Sequence, residues 1–337
     1  MSKAMRILHA PTNIAGIAGL AAKAQRRLGY DSTSVEYISR QFNFGTDLSL
    51  HLERERGPMK VAKAMRFATA AIRKYDVFHL YFGNTLLPYP YPDLPLLRAL
   101  GKKLVFHFCG CEVRRRDINL DEYDLSGCHE CTSLVCLSKH HPPFNRADKL
   151  LVATPDLLEF VPGAELMPGP VDLSEWQPEP FRDKQPGEPI KILHAPTDRG
   201  IKGSNYIIAA VERLKQRYNV ELLLLENVPH AEVKAFGNQA DIVVDQIMIG
   251  AYGTVAIEQM AKGKSVICYI RPDLRPYYPA SLPLVSATPA TIYEEIERLV
   301  LDADLRRQLG AQGIEYVHEV HDVDKVAARM IEIYKET

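Results

Sequence analysis

Lys191–Asn205, KILHAPTDRGIKGSN, is the stretch that decides the fold. It opens as a short apolar strand ending at His194 and turns through Pro196, Asp198, Gly200 and Gly203. A helical pattern follows, in which Ile207, Ile208, Val211 and Leu214 share one face. A strand that stops at a glycine-containing turn and feeds a helix is suited to anions. The first N–H groups of the helix are unpaired and carry partial positive charge. Arg199 and Lys202 add full charges beside that helix start, where a nucleotide diphosphate would be held.

The chain makes the same move near its beginning. Ile7–Thr12 reads ILHAPT, as does Ile192–Thr197, and the first copy runs on through Gly16 and Gly19 into a helix over Ala18–Leu28. The copies stand about half a chain apart. That is too far for a solenoid period and suits two βαβ domains, each with the same opening.

Composition bounds the rest. A chain of 337 residues fits two domains better than one. Its 46% hydrophobic and 25% charged content is that of a globular protein with real cores. A net charge of −1 gives no global attraction to nucleic acid or to an anionic membrane. No apolar run approaches the ~20 residues of a membrane span. The opening MSKAMRILHA lacks the apolar core of a signal peptide. The expectation is a cytoplasmic protein, with at most peripheral membrane contact.

Strand patterns at Arg6–His9, Ser34–Ile38, Val77–Phe82, Lys103–Phe108 and Leu150–Ala153 alternate with helical ones at Ala18–Leu28 and Pro58–Tyr75. The second half repeats the alternation. Its strands are Ile190–His194, Val220–Glu226, Ile242–Val244 and Ser265–Ile270. Its helices are Asn205–Arg217, His230–Gly237, Gly253–Lys262 and Pro289–Asp302, with a charged helical tail from about Asp304 interrupted near His318–Asp322. This is the pattern of α/β domains with parallel sheets covered on both faces. The proline-rich stretch Gly83–Pro95 reads as a loop, and Pro168–Pro189 as an interdomain linker. The expected division is 1–168, a linker over 169–189, a second domain over 190–320 and a terminal helix over 321–337.

A second informative stretch runs from Ala240 to Ile270. Gly250 and Gly253 leave the backbone open to a ligand, and Gly253–Thr254 starts a helix, a second anion-friendly terminus. Glu258 follows just over one turn later. Its carboxylate suits the two hydroxyls of a ribose, or else simply stabilises the helix start.

Lys202–Gly203 opening a helix, followed by DQIMIGAYGTVAIEQMAKGKSVI over Asp245–Ile267, resembles the donor-binding half of GT-B glycosyltransferases. The likeness is greatest to the large retaining family 4. Its pattern is a Glu, then Gly–aromatic–Gly, then a second Glu followed by Ala-Met-Ala-x-Gly-x-Pro-Val. Gly253, Glu258, Met260, Ala261, Gly263 and Val266 fall at the matching spacing. The resemblance implies the GT-B form of the α/β class: two Rossmann-like domains facing each other across a cleft, with the terminal helix packed back on the first. It also implies transfer of a sugar from a nucleotide-diphosphate donor to a glycan, lipid or small-molecule acceptor, with retention and without a protein nucleophile.

By the same resemblance, Arg199 and Lys202 bind the diphosphate and Glu258 the ribose. Gly203 opens the donor helix, and Tyr252, Gly253, Thr254 and Val255 line phosphate and sugar. Gly16 and Gly19 let the first domain's loop approach the diphosphate. Two positions depart from the family pattern. Its first Glu falls on Gly250, and its Arg before the lysine falls on Thr197, with Arg199 nearby instead. Gly250 keeps a second reading open, a catalytically silent GT-B-like protein that binds nucleotide or a partner. A sugar-nucleotide epimerase is the third.

Cysteines form the last constellation. Cys109, Cys111, Cys128, Cys131 and Cys136 crowd one stretch, while Cys268 reads as a buried strand residue. Cys128 and Cys131 make a C-x2-C knuckle. Cys111, Cys128, Cys131 and Cys136 together suit a structural tetrahedral Zn site, with thiols or disulfides as the alternatives. Arg114, at the end of a strand, either faces a ligand cleft or sits in a solvated basic loop. His140–His141 read as loop residues. Pro88, Tyr89, Pro90, Tyr91 and Pro92 read as a packed loop, with an acceptor groove or a membrane-interface edge as alternatives.

Overall fold

A computed structural model of the chain describes residues 5–39, 44–131, 136 and 144–337. The pair His140–His141 lies outside them. The chain forms two compact units, one of Met1–Arg115, Leu134–Pro170 and Val323–Thr337, the other of Arg116–Ser133 and Val171–Asp322.

In the first unit, β1 (Arg6–Ala10), β2 (Asp31–Glu36), β3 (Leu48–Ser49), β4 (Val77–Tyr81), β5 (Lys103–Phe108), β6 (Lys149–Val152) and β7 (Glu165–Leu166) pair in parallel in the order β3-β2-β1-β4-β5-β6-β7. Every residue of β4 is buried, as expected of a parallel strand covered on both faces. One face carries Phe78, Leu80 and Phe106 against Ala64, Ala68, Ala71 and Ile72 of the helix Gly57–Lys74. On the other, Ile7, Val77, Val105 and Leu151 meet Val326, Met330 and Tyr334 of the helix Val323–Glu336. The last helix of the chain is therefore part of the first unit's core. Arg27 and Asp324 pair beside it at 2.6 Å.

In the second unit, β8 (Ile190–His194), β9 (Val220–Leu224), β10 (Ile242–Val244) and β11 (Ser265–Ile267) pair in parallel in the order β11-β10-β8-β9. Ile207, Val211 and Leu214 of the helix Ser204–Lys215 cover one face with Ile296 and Leu299. Met260 and Ala261 of the helix Thr254–Ala261 cover the other, with Tyr316, Val317 and Trp176. Strand order reverses between β1 and β4 in the first sheet and between β8 and β10 in the second. Ligands of open α/β sheets bind beyond the carboxyl ends of the strands at such points.

Several segments differ from expectation. A helix, Asp93–Ala99, begins inside the proline-rich loop; Pro95 falls in its first turn, where its missing N–H costs nothing. β3 and β7 are two-residue edge strands, too short to leave a periodicity. The expected linker is not free from Val171 onward. The Val171 N–H donates to the His321 carbonyl at 2.8 Å, and Trp176 is buried in the second unit's core. Residues 116–133, expected in the first domain, pack with the second unit. There the Arg271 guanidinium stands 3.9 Å from the centre of the Tyr123 ring. No helix among the described residues is long and apolar enough to cross a membrane.

Candidate functional site

The repeated hexapeptide puts one histidine at the same place in each sheet. His194 meets the Val244 carbonyl of β10 through Nδ1 and Ser204 Oγ, at the start of the next helix, through Nε2, both at 2.8 Å. His9 meets the Tyr81 hydroxyl of β4 through Nδ1 and Gln25 Oε1 of its own following helix through Nε2, again both at 2.8 Å. Each ring thus ties its strand to the neighbour across the reversal of strand order and to the helix that follows. Burial pushes both imidazoles down to about 4, so they are neutral structural links.

Beyond the carboxyl ends of β8 and β10, Lys202 reaches Asp245. Its Nζ donates to Asp245 Oδ1 at 2.9 Å and to Gln246 Oε1 at 2.5 Å. The other Asp245 oxygen accepts the Gly253 N–H at 2.7 Å. The side chains of Lys202 and Asp245 are only 13% and 1% exposed. An ammonium has three N–H donors, so one remains for a further acceptor. Gly203 allows this geometry. It sits at φ 76°, and a Cβ there would lie 2.6 Å from Ile247 Cγ1 and 2.9 Å from Met248 Cγ. Any other residue would push the helix start away from the loop after β10.

Two helix starts at this edge were expected to favour anions, at Gly203 and at Gly253–Thr254, and neither has a side-chain cap. The turn Arg199–Lys202 is capped by Asp198, whose carboxylate accepts the Ile201 N–H at 2.9 Å. Arg199 itself is held by Glu226 through two contacts of 2.6 Å, a hydrogen bond that raises its pKa. By contrast, the helix Thr254–Ala261 has no side-chain cap, which leaves the Thr254 and Val255 N–H groups at its first turn open to a ligand. A Cβ built on Gly253 would stand 3.4 Å from Lys202 Nζ, so that turn adjoins the ammonium.

Glu258 lies on the same helix and is buried. Its Oε1 meets His230 Nε2 at 2.7 Å, and its Oε2 has no hydrogen-bond partner among the described residues. Burial raises its pKa against the opposing pull of the His230 hydrogen bond. That oxygen keeps its capacity to accept a further hydrogen bond.

Other expected site residues stand elsewhere. The Tyr252 ring turns into the core, where its hydroxyl meets the Tyr316 hydroxyl at 2.8 Å and His321 Nε2 at 2.9 Å. Gly250, the position of the family's first Glu, has φ 89°, and a Cβ there would lie 2.8 Å from Arg271 Cβ. In the first unit, Gly16 starts the helix Ile17–Arg27 and faces Phe44. Gly19 is covered by the Gly45 carbonyl, which also accepts from Asn13 Nδ2 at 2.9 Å. Its bareness therefore serves packing within the unit. Arg114 is bound to buried Asp156 at 2.7 Å.

The described residues show no zinc site. Cys111, Cys128, Cys131 and Cys136 are all described, yet no group of three or more His, Cys, Asp or Glu among the described residues could hold a metal ion. Cys111 stands 3.5 Å from an Arg114 nitrogen in the first unit. Cys128 lies in the short helix Gly127–Glu130 of the second unit, its N–H accepted by Ser126 Oγ at 3.2 Å. Packing draws that turn onto the helix Arg199–Lys202, with Gly127 against Ile201 and Gly200 against the Glu130 carbonyl.

Asp245 and His230 escaped attention as site residues in sequence, while Gln246 drew notice only as a neighbour of Gly250 and a candidate substitute for the family's first Glu. The available signal was position: a carboxylate directly after a short apolar strand stands at the ligand edge of a parallel sheet.

No family model matches the chain, and no curated protein sequence matches it. Solved structures do, over essentially its full length. Sucrose-phosphate synthase from Thermosynechococcus elongatus aligns with 99% of this chain and 99% of its own, with TM-score 0.63 and 16% identity. A glycosyltransferase from Rickettsia africae aligns over 100% and 99%, with TM-score 0.66 and 14% identity. Anabaena HepE in complex with UDP and glucose aligns over 99% and 100%, with TM-score 0.62 and 12% identity. The fold is GT-B.

Proposed function

We propose that the protein is a glycosyltransferase that moves a sugar from a nucleotide-diphosphate donor to a glycan, lipid or small-molecule acceptor. The observation that carries this reading is the grouping of Lys202 with the uncapped first turn of Thr254–Ala261 at the strand-order reversal of the second sheet, with an unpartnered Glu258 oxygen on that helix. HepE, one of the structures it resembles, has been solved with UDP-glucose.

In this reading the diphosphate lies against the Thr254 and Val255 N–H groups, with the remaining Lys202 N–H on the leaving phosphate. Charge grows there as the sugar departs, so a fixed ammonium favours the transition state over the bound donor. Glu258 Oε2 accepts a ribose hydroxyl. Arg199 contributes only if Glu226 releases it. The glycines at Gly16 and Gly19 shape the first unit's loop. Retention follows the family resemblance, and no side chain is assigned as nucleophile.

Gly250 supports the second reading, a protein that binds nucleotide without transfer. Incubation with a panel of UDP-, GDP- and ADP-sugars, with and without glycan acceptors, separates the two. Turnover of any donor supports transfer. Tight nucleotide binding with no turnover across the panel assigns the silent reading.

A further inference from the structure

The helix Gly57–Lys74 of the first unit buries Ala64, Ala68, Ala71 and Ile72. Its opposite face repeats at helical spacing as Met59, Lys63, Arg66, Ala70 and Arg73, all exposed. Met59, Val61 and Met65, gathered in the first turns, are 65%, 53% and 53% exposed. Beside them runs a groove of about 550 Å³ lined by Leu50, Met59 and Phe67 together with Lys63 and Arg66.

Charge is concentrated here. From Glu53 to Lys74 the chain carries seven basic residues and two acidic ones, although the whole protein has a net charge of −1. Both acids are engaged locally, Glu55 with Lys63 at 2.8 Å and Glu53 with His51 at 3.2 Å. No carboxylate among the described residues pairs with Arg56, Lys60, Arg66 or Arg73. The helix itself contains no acidic residue at all.

We propose that this helix is a docking surface for a bilayer rich in anionic headgroups. Met59 enters the boundary of the acyl region with Met65 at its edge, and Lys60, Arg66 and Arg73 take the headgroup phosphates. Long basic side chains suit this arrangement, because their apolar stems lie along the hydrocarbon while the charges stay in water. A nucleic acid is the less fitting partner. It would use the charge but offers nothing to exposed Met, and the helix displays no exposed aromatic ring for stacking. The inference stands whether or not the second unit turns over a sugar donor.

Flotation of the full chain with vesicles of phosphatidylcholine, alone and with phosphatidylglycerol added, tests it. Wild type should float with the anionic vesicles and not with the zwitterionic ones. Arg66→Glu combined with Arg73→Glu should lower that partition at least roughly 30-fold, the loss of two surface cations. Met59→Ser with Met65→Ser should lower it as well. All four side chains are exposed, so both variants should unfold thermally with wild type, and Arg73→Glu alone serves if the double charge reversal does not fold. Wild type that ignores anionic vesicles, or a charge reversal that floats like wild type, overturns the proposal. So does full binding by the serine variant, which would point to a purely electrostatic partner such as a nucleic acid.

Discussion

The ammonium of Lys202 lies 2.9 Å from Asp245 Oδ1, and both side chains are largely withdrawn from water. The pair joins the turn after β8 to the loop after β10, and through the Gly253 N–H it sets the start of the next helix.

Lys202→Ala should leave the Asp245 carboxylate buried without its cation and cost about 3–5 kcal/mol in urea unfolding. Lys202→Met combined with Asp245→Leu should recover much of that loss while nucleotide diphosphate binding stays impaired. In variants that fold, turnover should fall more than donor affinity. Stability unchanged in Lys202→Ala would mean the ion pair has no structural role.

Glu258→Ala should mainly weaken nucleotide binding, by about 1.5–3 kcal/mol for the lost hydrogen bonds to a charged group. Ribose contacts are alike before and during reaction, so turnover at saturating donor should change less. Calorimetric titration with UDP, GDP and ADP is the measurement; unaltered binding of all three would put the ribose elsewhere.

Restoring the family's missing carboxylate should fail. Gly250→Glu imposes a side chain at φ 89°, with its Cβ pressed on Arg271. It should cost about 1–3 kcal/mol, seen as a lower Tm, without raising activity. A Gly250→Glu protein as stable as wild type, with increased turnover, would contradict this account of the loop.

Four buried histidines set an acid limit on stability. Burial pushes His9 and His194 down to about 4, His107 to about 3, and His79 well below its ordinary value. Each is neutral in the fold and takes up a proton once unfolded, near pH 6.5. Their contribution is complete above that value and is lost as pH falls from about 6.5 towards 4, by about 1.4 kcal/mol per pH unit for each ring. Urea unfolding at pH 7.5, 6 and 5 checks the slope; a flat profile refutes it.

Metal removal should do nothing. Dialysis against a chelator should leave both Tm and the far-ultraviolet dichroism unchanged, because the cysteines do not gather into a metal site among the described residues. A fall in Tm reversed by Zn alone would count against this arrangement.

The order of strands and helices was legible in the sequence, because it is written in local periodicity. β5, β8 and β10 fall on the expected residues, and the repeated ILHAPT marks the opening strand of each unit. The start of the helix that carries Glu258 was legible too, from Gly253 and the apolar spacing that follows it. Tertiary structure alone decided which charges face which. Arg199 and Lys202 are three residues apart with the same sign, yet one goes to Glu226 at the surface and the other to buried Asp245. The cysteine spacing fitted a zinc site, but spacing records distance along the chain, and the packing of Gly127 on Ile201 took Cys128 into the second unit while Cys111 stayed in the first. Periodicity follows from one segment's own geometry. Partner choice depends on desolvation and on contacts between segments far apart in sequence, and only the folded chain brings those together.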